Sequence, residues 1–367
     1  LSRRLAASLA LLAVLAPGCV ARPRRPPDPI LDELGQLLLV AFGGTAAAGN
    51  RQLDQLLCEI RVSGVVLLAD SNIESPAQLR ALTADLQRRS HECTGRPLLI
   101  ATDAEGGEIM RLSPRGGWAP TLSHEELGRE GDLALTELEA RRIGFMLRDA
   151  GVNWNLAPVV DVGYNPANPV IVEHGRSFAA NPLRVAAQAR AYLRGLRAAD
   201  VLTTLKHFPG HGSSSADSHA GFVDVTETAD AEVELYPYRA LLGEGLVDAV
   251  MTAHVFNRRR DPDFPATLSP ATLTGLLRQE LQWAGVVVSD DMRMGAISAD
   301  YGFAEAVVQA VRAGVDLLLI GDDRLEDGRS AAASALAALR QAVEDGRLSH
   351  ERIAASLERI RRLTAKL

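Results

Sequence analysis

The densest chemistry in the sequence lies in one stretch. It reads Lys206-His207-Phe208-Pro209-Gly210-His211-Gly212, then serines, then Asp217-Ser218-His219. Pro209 and Gly210 break any helix, and the Gly- and Ser-rich loop from Gly212 to Gly221 has a composition that permits motion. Asp217 and His219 stand two apart, so a tight turn brings the carboxylate to one imidazole nitrogen. Such a carboxylate orients the ring and raises its basicity, which a general acid/base needs. Taken alone, the pair also reads as a solvated motif in a loop. His207 and His211 have the i,i+4 spacing that would put two zinc ligands on one helix face. The intervening Pro-Gly forbids that helix and no Glu follows His207, so no metal or other cofactor is expected.

Other polar residues stand directly after apolar runs. Asp103 and Glu105 follow Leu99-Ile100-Ala101, Asp161 follows Ala157 to Val160, and His254 follows Val250 to Ala253. Asp290 and Asp291 follow Val286 to Ser289, and Gly321-Asp322-Asp323 follows Leu318-Leu319-Ile320. One acid at a strand end is ordinarily a helix cap. With Lys206 and His207 after Thr203-Thr204-Leu205, six such ends in one chain point to a polar binding mouth, which suits a sugar because each hydroxyl both donates and accepts.

The elements that must position these residues alternate strand and helix. Strands are expected at 37–42, 64–69, 97–101, 152–158, 203–206, 247–253, 285–289 and 315–320. Several are nearly continuous Val, Leu and Ile, as in strands buried on both faces of a parallel sheet. Helical periodicity fills 76–89 (with Ser75 as N-cap), 135–151, 182–199, 270–281, 303–314, 329–344 and 351–366. Eight strands with helical crossovers predict an α/β fold, a single (β/α)8 TIM-type barrel over residues 31–367. The Gly43-Gly44 and Gly106-Gly107 pairs lack the spacing of a dinucleotide-binding turn.

With 367 residues, 39 Lys+Arg against 46 Asp+Glu and a net charge of −7, the chain has a globular balance. Its acidity argues against nucleic acid as a partner. Only Lys206 and Lys366 are lysines. The first residues form a separate unit: Arg3 and Arg4, an apolar run from Leu5 to Leu15, then Ala16-Pro17-Gly18-Cys19. This has the parts of a signal peptide over residues 1–18. Cys19 resembles a bacterial lipoprotein cleavage site, with a Pro- and Arg-rich tether over 19–30. The expected address is the cell envelope, periplasmic or outer membrane, with membrane contact only through a lipid anchor at Cys19. Cys58 and Cys93 remain as a pair whose bonding the sequence leaves open.

Taken together, the lysine–histidine stretch with Asp217-Ser218-His219 resembles the motif of bacterial β-N-acetylglucosaminidases in glycoside hydrolase family 3. Asp103-Ala104-Glu105-Gly106-Gly107 with Arg111, Gly175-Arg176-Ser177-Phe178, and Val288-Ser289-Asp290-Asp291-Met292 resemble three further motifs of that family, in its order. Ala104 and Glu108 depart from the pattern, as does the longer stretch Ile171 to Gly175 before Arg176. The resemblance implies that Asp290 is a catalytic nucleophile and His219 the general acid/base, partnered by Asp217. It implies that Asp103, Arg111, Arg176, Lys206 and His207 bind sugar hydroxyls. The implied activity is that of a retaining exo-β-N-acetylglucosaminidase; with the export signal, the expected substrates are peptidoglycan fragments or chitooligosaccharides, and the protein is expected to be a monomer. The competing readings are a glucosidase or xylosidase of the same family and a sugar-binding lipoprotein without catalysis.

Overall fold

The computed structural model describes residues 29–218 and 221–367. The expected signal peptide and Cys19 lie outside the described residues. In chain order the strands are β1 (Leu38–Ala41), β2 (Gly64–Val66), β3 (Leu99–Thr102), β4 (Ala104–Gly106), β5 (Ile109–Met110) and β6 (Trp154–Asn155). There follow β7 (Thr204–Phe208), β8 (Val223–Asp224), β9 (Ala249–Thr252), β10 (Val255–Phe256), β11 (Val286–Val288) and β12 (Leu318–Ile320). Strands β1, β2, β3, β6, β7, β9, β11 and β12 fall inside or across the eight expected apolar runs and are buried along their whole length. Burial on both faces is why these strands read as unbroken Val, Leu and Ile rather than as an alternation.

Five of these strands form one parallel sheet in the order β12-β1-β2-β3-β6, and three form a second in the order β11-β9-β7. The register sets Leu39 opposite both Leu319 and Gly64, and Val65 opposite Ile100. Gly64 leaves no room for a side chain, since a Cβ there would lie 2.7 Å from atoms of Leu39 and Leu99. Parallel bridges join the sheet edges: Trp154 with Leu202, Val159 with Lys206, and Val288 with Leu317. Because the pairings are parallel, the strands' C-terminal ends share one side, and the loops leaving them converge there. The chain is thus an α/β fold with strands separated by helices.

The helices start where the sequence carries caps. Ser75 accepts from the Gln78 amide ahead of the 76–94 helix, and Asn181 and Pro182 open the 182–197 helix. That last helix packs on the 133–149 helix, where Gly195 and Gly144 allow close approach. Three details differ from expectation. Strand β7 runs on to Phe208, two residues past the expected end, because Phe208 pairs with Thr252. Residues Ala271–Glu280 form a π-helix rather than an α-helix. The first helix, Pro29–Gly35, begins inside the segment expected to be tether.

Cys58 and Cys93 form a disulfide. It ties the helix before β2 to the helix before β3, at the strands' N-terminal side. Asp32 pairs with Arg61 and Arg96 beside it. Closing a loop of 35 residues should contribute about 3–4 kcal/mol by restricting the unfolded chain. The Cys58→Ser/Cys93→Ser protein is therefore expected to unfold at lower denaturant, its stability reduced by about that free energy. Equal urea midpoints for the two proteins would refute this role.

Candidate active site

The site begins where β3 ends. Asp103 follows that strand, and Glu105 lies in β4, the first arm of a short antiparallel hairpin with β5. Gly106 and Gly107 turn the hairpin with φ of 102° and 61°, and a Cβ on Gly106 would come within 2.1 Å of the Leu122 carbonyl oxygen. Asn155 clamps the hairpin through its side-chain amide, accepting from Ala104 N–H and donating to Ala104 C=O. The Tyr192 hydroxyl reaches the Ala104 and Glu105 carbonyls, both at 3.0 Å.

Three cations meet these two acids. The Lys206 ammonium, on β7, lies 2.8 Å from Asp103 Oδ1 and 2.7 Å from Glu105 Oε1. Arg176 donates from Nε to Glu105 Oε2 at 2.9 Å and from Nη2 to Oε1 at 2.8 Å, a bidentate fork. Arg111 stands 3.5 Å from the other Asp103 oxygen. Burial alone would raise the pKa of both carboxyls. For Asp103 the charges of Lys206 and Arg111 outweigh burial, and for Glu105 those of Arg176 and Lys206 hold it well below the usual range. Burial likewise works against the Lys206 charge, but Asp103 and Glu105 reverse the sign and raise its pKa. The cluster is therefore ionised and nearly charge-balanced, with Lys206 only 2% exposed.

Next to it, His207 Nδ1 lies 2.6 Å from Asp161 Oδ2, and Arg176 Nη2 lies 3.3 Å from His207 Nε2. A guanidinium cannot accept a hydrogen bond, so Nε2 accepts and Nδ1 carries the proton toward Asp161. Asp161 also accepts from the His207 and His211 amides. The His211 ring stands edge-on to that of His207, with centroids 6.1 Å apart; its Nε2 meets Ser218 Oγ at 3.1 Å, and burial pushes its pKa down to about 4. His124 is buried against Phe178 and Tyr192, and burial lowers its pKa to about 3. Among the described residues, no group of three or more His, Cys, Asp or Glu is arranged to hold a metal ion.

Asp290 follows β11. Its Oδ1 accepts the Asp291 amide at 2.8 Å, and its own amide lies 3.4 Å from Thr252 Oγ1. Asp291 serves the loop instead, accepting from the Arg293 and Gly321 amides, and burial raises its pKa. His254 is buried and holds the Asp291 carbonyl at 2.9 Å. Asp103, Arg111, Arg176, Lys206, His207 and Asp290 all line one cavity of about 260 Å³. Ser218 lines it as well; its neighbour Asp217 is half-buried in the loop, and His219 lies outside the described residues. The sequence marks Glu105 as a polar strand end within a family-like motif but gives it no role, yet it is the buried pivot of the cluster. Its signal was the two-residue spacing from Asp103. Two departures from the family pattern meet each other, His174 Nδ1 lying 3.1 Å from Glu108 Oε2.

The loop that carries Asp217 is fixed at its base. Asn168 donates to the His211 and Gly212 carbonyls, and Asn165 to those of Ser213 and Ser214. Glu234 Oε1 accepts the Ser213 amide at 3.0 Å and the Tyr164 hydroxyl at 3.1 Å. Burial pushes the Glu234 carboxyl up to about 7, in spite of those hydrogen bonds.

An α/β fold with a charge-balanced polar cavity at the strands' C-terminal ends is the architecture of many sugar-processing enzymes, and the comparisons narrow it. Residues 30–363 match the model of the glycosyl hydrolase family 3 N-terminal domain, and the chain belongs to that family. It is similar to beta-hexosaminidase A of Pseudoalteromonas piscicida, 34% identical over 86% of this chain and 55% of that one. A beta-hexosaminidase of Nitrosomonas eutropha is 36% identical over 87% of this chain and 89% of its own. Among solved structures, a family 3 beta-N-acetylglucosaminidase from Paenibacillus sp. str. FPU-7 superposes with a TM-score of 0.85. The two share 40% identity over 91% of this chain and 62% of that one. The chain therefore spans little more than half the length of some relatives and nearly all of others.

Two outcomes follow from the cluster and the loop base. Lys206→Met would leave Asp103 only the longer contact with Arg111 and Glu105 only Arg176, and should destabilise the fold by about 3–5 kcal/mol in urea unfolding. Glu234 binds its proton more tightly folded than unfolded, so its contribution weakens as pH rises from 4.5 through about 7. Over that interval Glu234→Gln should gain on the order of 3 kcal/mol of stability relative to wild type. Parallel stability–pH curves for the two proteins would refute this.

Proposed function

We propose that the chain is a retaining β-N-acetylglucosaminidase that removes terminal β-linked N-acetylglucosamine from oligosaccharides. One observation carries the reading. Every residue that the family resemblance assigns to sugar binding lines the same cavity as Asp290, with Ser218 of the Asp217–His219 motif on its wall. The names of the relatives support the same activity.

In this reading the Asp290 carboxylate attacks the anomeric carbon as the glycosidic C–O bond breaks. The His219 imidazolium, its charge stabilised by Asp217, gives its proton to the leaving oxygen and becomes neutral. Water then attacks the glycosyl–Asp290 ester, His219 takes its proton, and the sugar leaves with retained configuration. Asp103, Arg111, Arg176, Lys206 and His207 orient the hydroxyls, their charges already ordered by one another before substrate arrives. The scaffold is a single (β/α)8 barrel. The two parallel sheets and the bridges β6 to β7 and β11 to β12 support a closed circuit of eight strands. The protein works in the cell envelope as an exported monomer anchored through Cys19, on peptidoglycan fragments or chitooligosaccharides.

A panel of p-nitrophenyl β-glycosides tests the activity. The expected result is hydrolysis of the N-acetylglucosaminide, little of the glucoside or xyloside, and no loss in EDTA. Asp290→Ala should abolish turnover. His219→Ala should slow natural substrates by ~10²–10⁴-fold, and substrates with acidic leaving groups less. Undiminished turnover in Asp290→Ala would sink the mechanism.

A further inference from the structure

We propose that the polar cavity at the C-terminal ends of β1 and β12 binds the second sugar of an oligosaccharide whose terminal residue fills the catalytic cavity, and that this second sugar is uncharged. The inference rests on the glycosidase reading above. The cavity measures about 610 Å³, within the range of small-molecule sites. It shares Leu68 and Gly321 with the wall of the catalytic cavity, so the two are neighbours along one surface. The catalytic cavity, at about 260 Å³, is sized for a single sugar ring.

Gln52, Ser71, Asp322, Asp323, Arg324 and Ser330 supply most of the polar groups. Asp323 is consumed by the fold: it accepts from Gln52, Ser330 and the Ala332 amide, and it holds the rim in place. Arg324 is pinned through its backbone, by a bridge to Ser330 and by Arg293 donating to its carbonyl at 3.1 Å. Its side chain is exposed, and no ion pair joins its guanidinium to a carboxylate among the described residues. Asp322 accepts the Arg324 amide through Oδ1 and is otherwise open to solvent. A guanidinium and a carboxylate side by side on a fixed turn present donors and acceptors to neighbouring hydroxyls, which is what a pyranose requires. The charge of the lining decides the class of sugar. Two carboxylates against one guanidinium leave a net negative wall, which disfavours a sugar bearing its own carboxylate. A second N-acetylhexosamine meets no such penalty.

The test compares p-nitrophenyl N-acetyl-β-glucosaminide, N,N′-diacetylchitobiose, and N-acetylglucosamine β-1,4-linked to N-acetylmuramic acid. Arg324→Ala and Asp322→Ala should each lower kcat/KM for diacetylchitobiose by about tenfold, the scale of one hydrogen bond to a charged group, and stay within about twofold on the aryl glycoside. Arg324→Lys should recover part of the loss. Calorimetric binding of diacetylchitobiose to the Asp290→Ala protein reads the site without turnover, and adding Arg324→Ala should weaken it about tenfold as well. Equal losses on aryl and disaccharide substrates, or unchanged disaccharide binding, would overturn the site. A wild type that prefers the muramic-acid disaccharide would overturn the uncharged sugar. Failure to cleave the aryl glycoside at all would overturn the glycosidase reading, while the binding experiment still decides the cavity.

Discussion

Lys206 carries a full charge in a place almost without water. It is tolerated because Asp103 and Glu105 stand within 2.8 Å of its ammonium, and because Arg176 satisfies the rest of Glu105. Removing two cations and two anions from water costs several kcal/mol per ion, and only close geometry with further hydrogen bonds repays it. The surrounding structure supplies that geometry. Asn155 and Tyr192 hold the backbone that carries the acids, and Gly106 turns it within reach of Leu122. Arg176 links the cluster to His207, and His207 links it to Asp161. One buried lysine thus fixes the relative positions of three strand ends.

That arrangement keeps the charged groups of the site in fixed positions. The cations and acids of the cavity are ordered by each other, so in the proposed reaction they need little reorganisation when a hydroxyl arrives. The loop after β7 is built differently. Its base is clamped by Asn165, Asn168 and Glu234, while its far part is small and polar. Under the proposed mechanism, rigid binding groups and a loop that carries the general acid/base fit a reaction in which the sugar stays and the leaving group departs. The neighbouring polar cavity lies beside this arrangement, over β1 and β12, where the chain spends Asp323 on structure and leaves Asp322 and Arg324 open.

Much of this was legible in the residues. The eight buried strands announce themselves because strands covered on both faces must be apolar throughout. Helix starts are legible because Ser75, Asn181 and Pro182 satisfy or remove amide donors that have no other partner. The π-helix over 271–280 was not, since its apolar spacing also fits an α-helix. The β4–β5 hairpin was not, since strands of three and two residues around Gly-Gly leave no periodic signal. Arg176 was assigned to the site despite the longer stretch before it, and the structure brings it to Glu105 from 71 residues away.

By itself, then, the sequence determined the alternation of strand and helix, the polar strand ends and the set of charged residues. These follow from local burial and local capping, which are written in residue type and spacing. Only the tertiary structure decided which charges meet. The pairing of Cys58 with Cys93, the pivot role of Glu105 and the second cavity all depend on residues distant in the chain. Coulomb and hydrogen-bond energies act over a few ångströms of space, and sequence separation carries no information about those distances until the strands have paired.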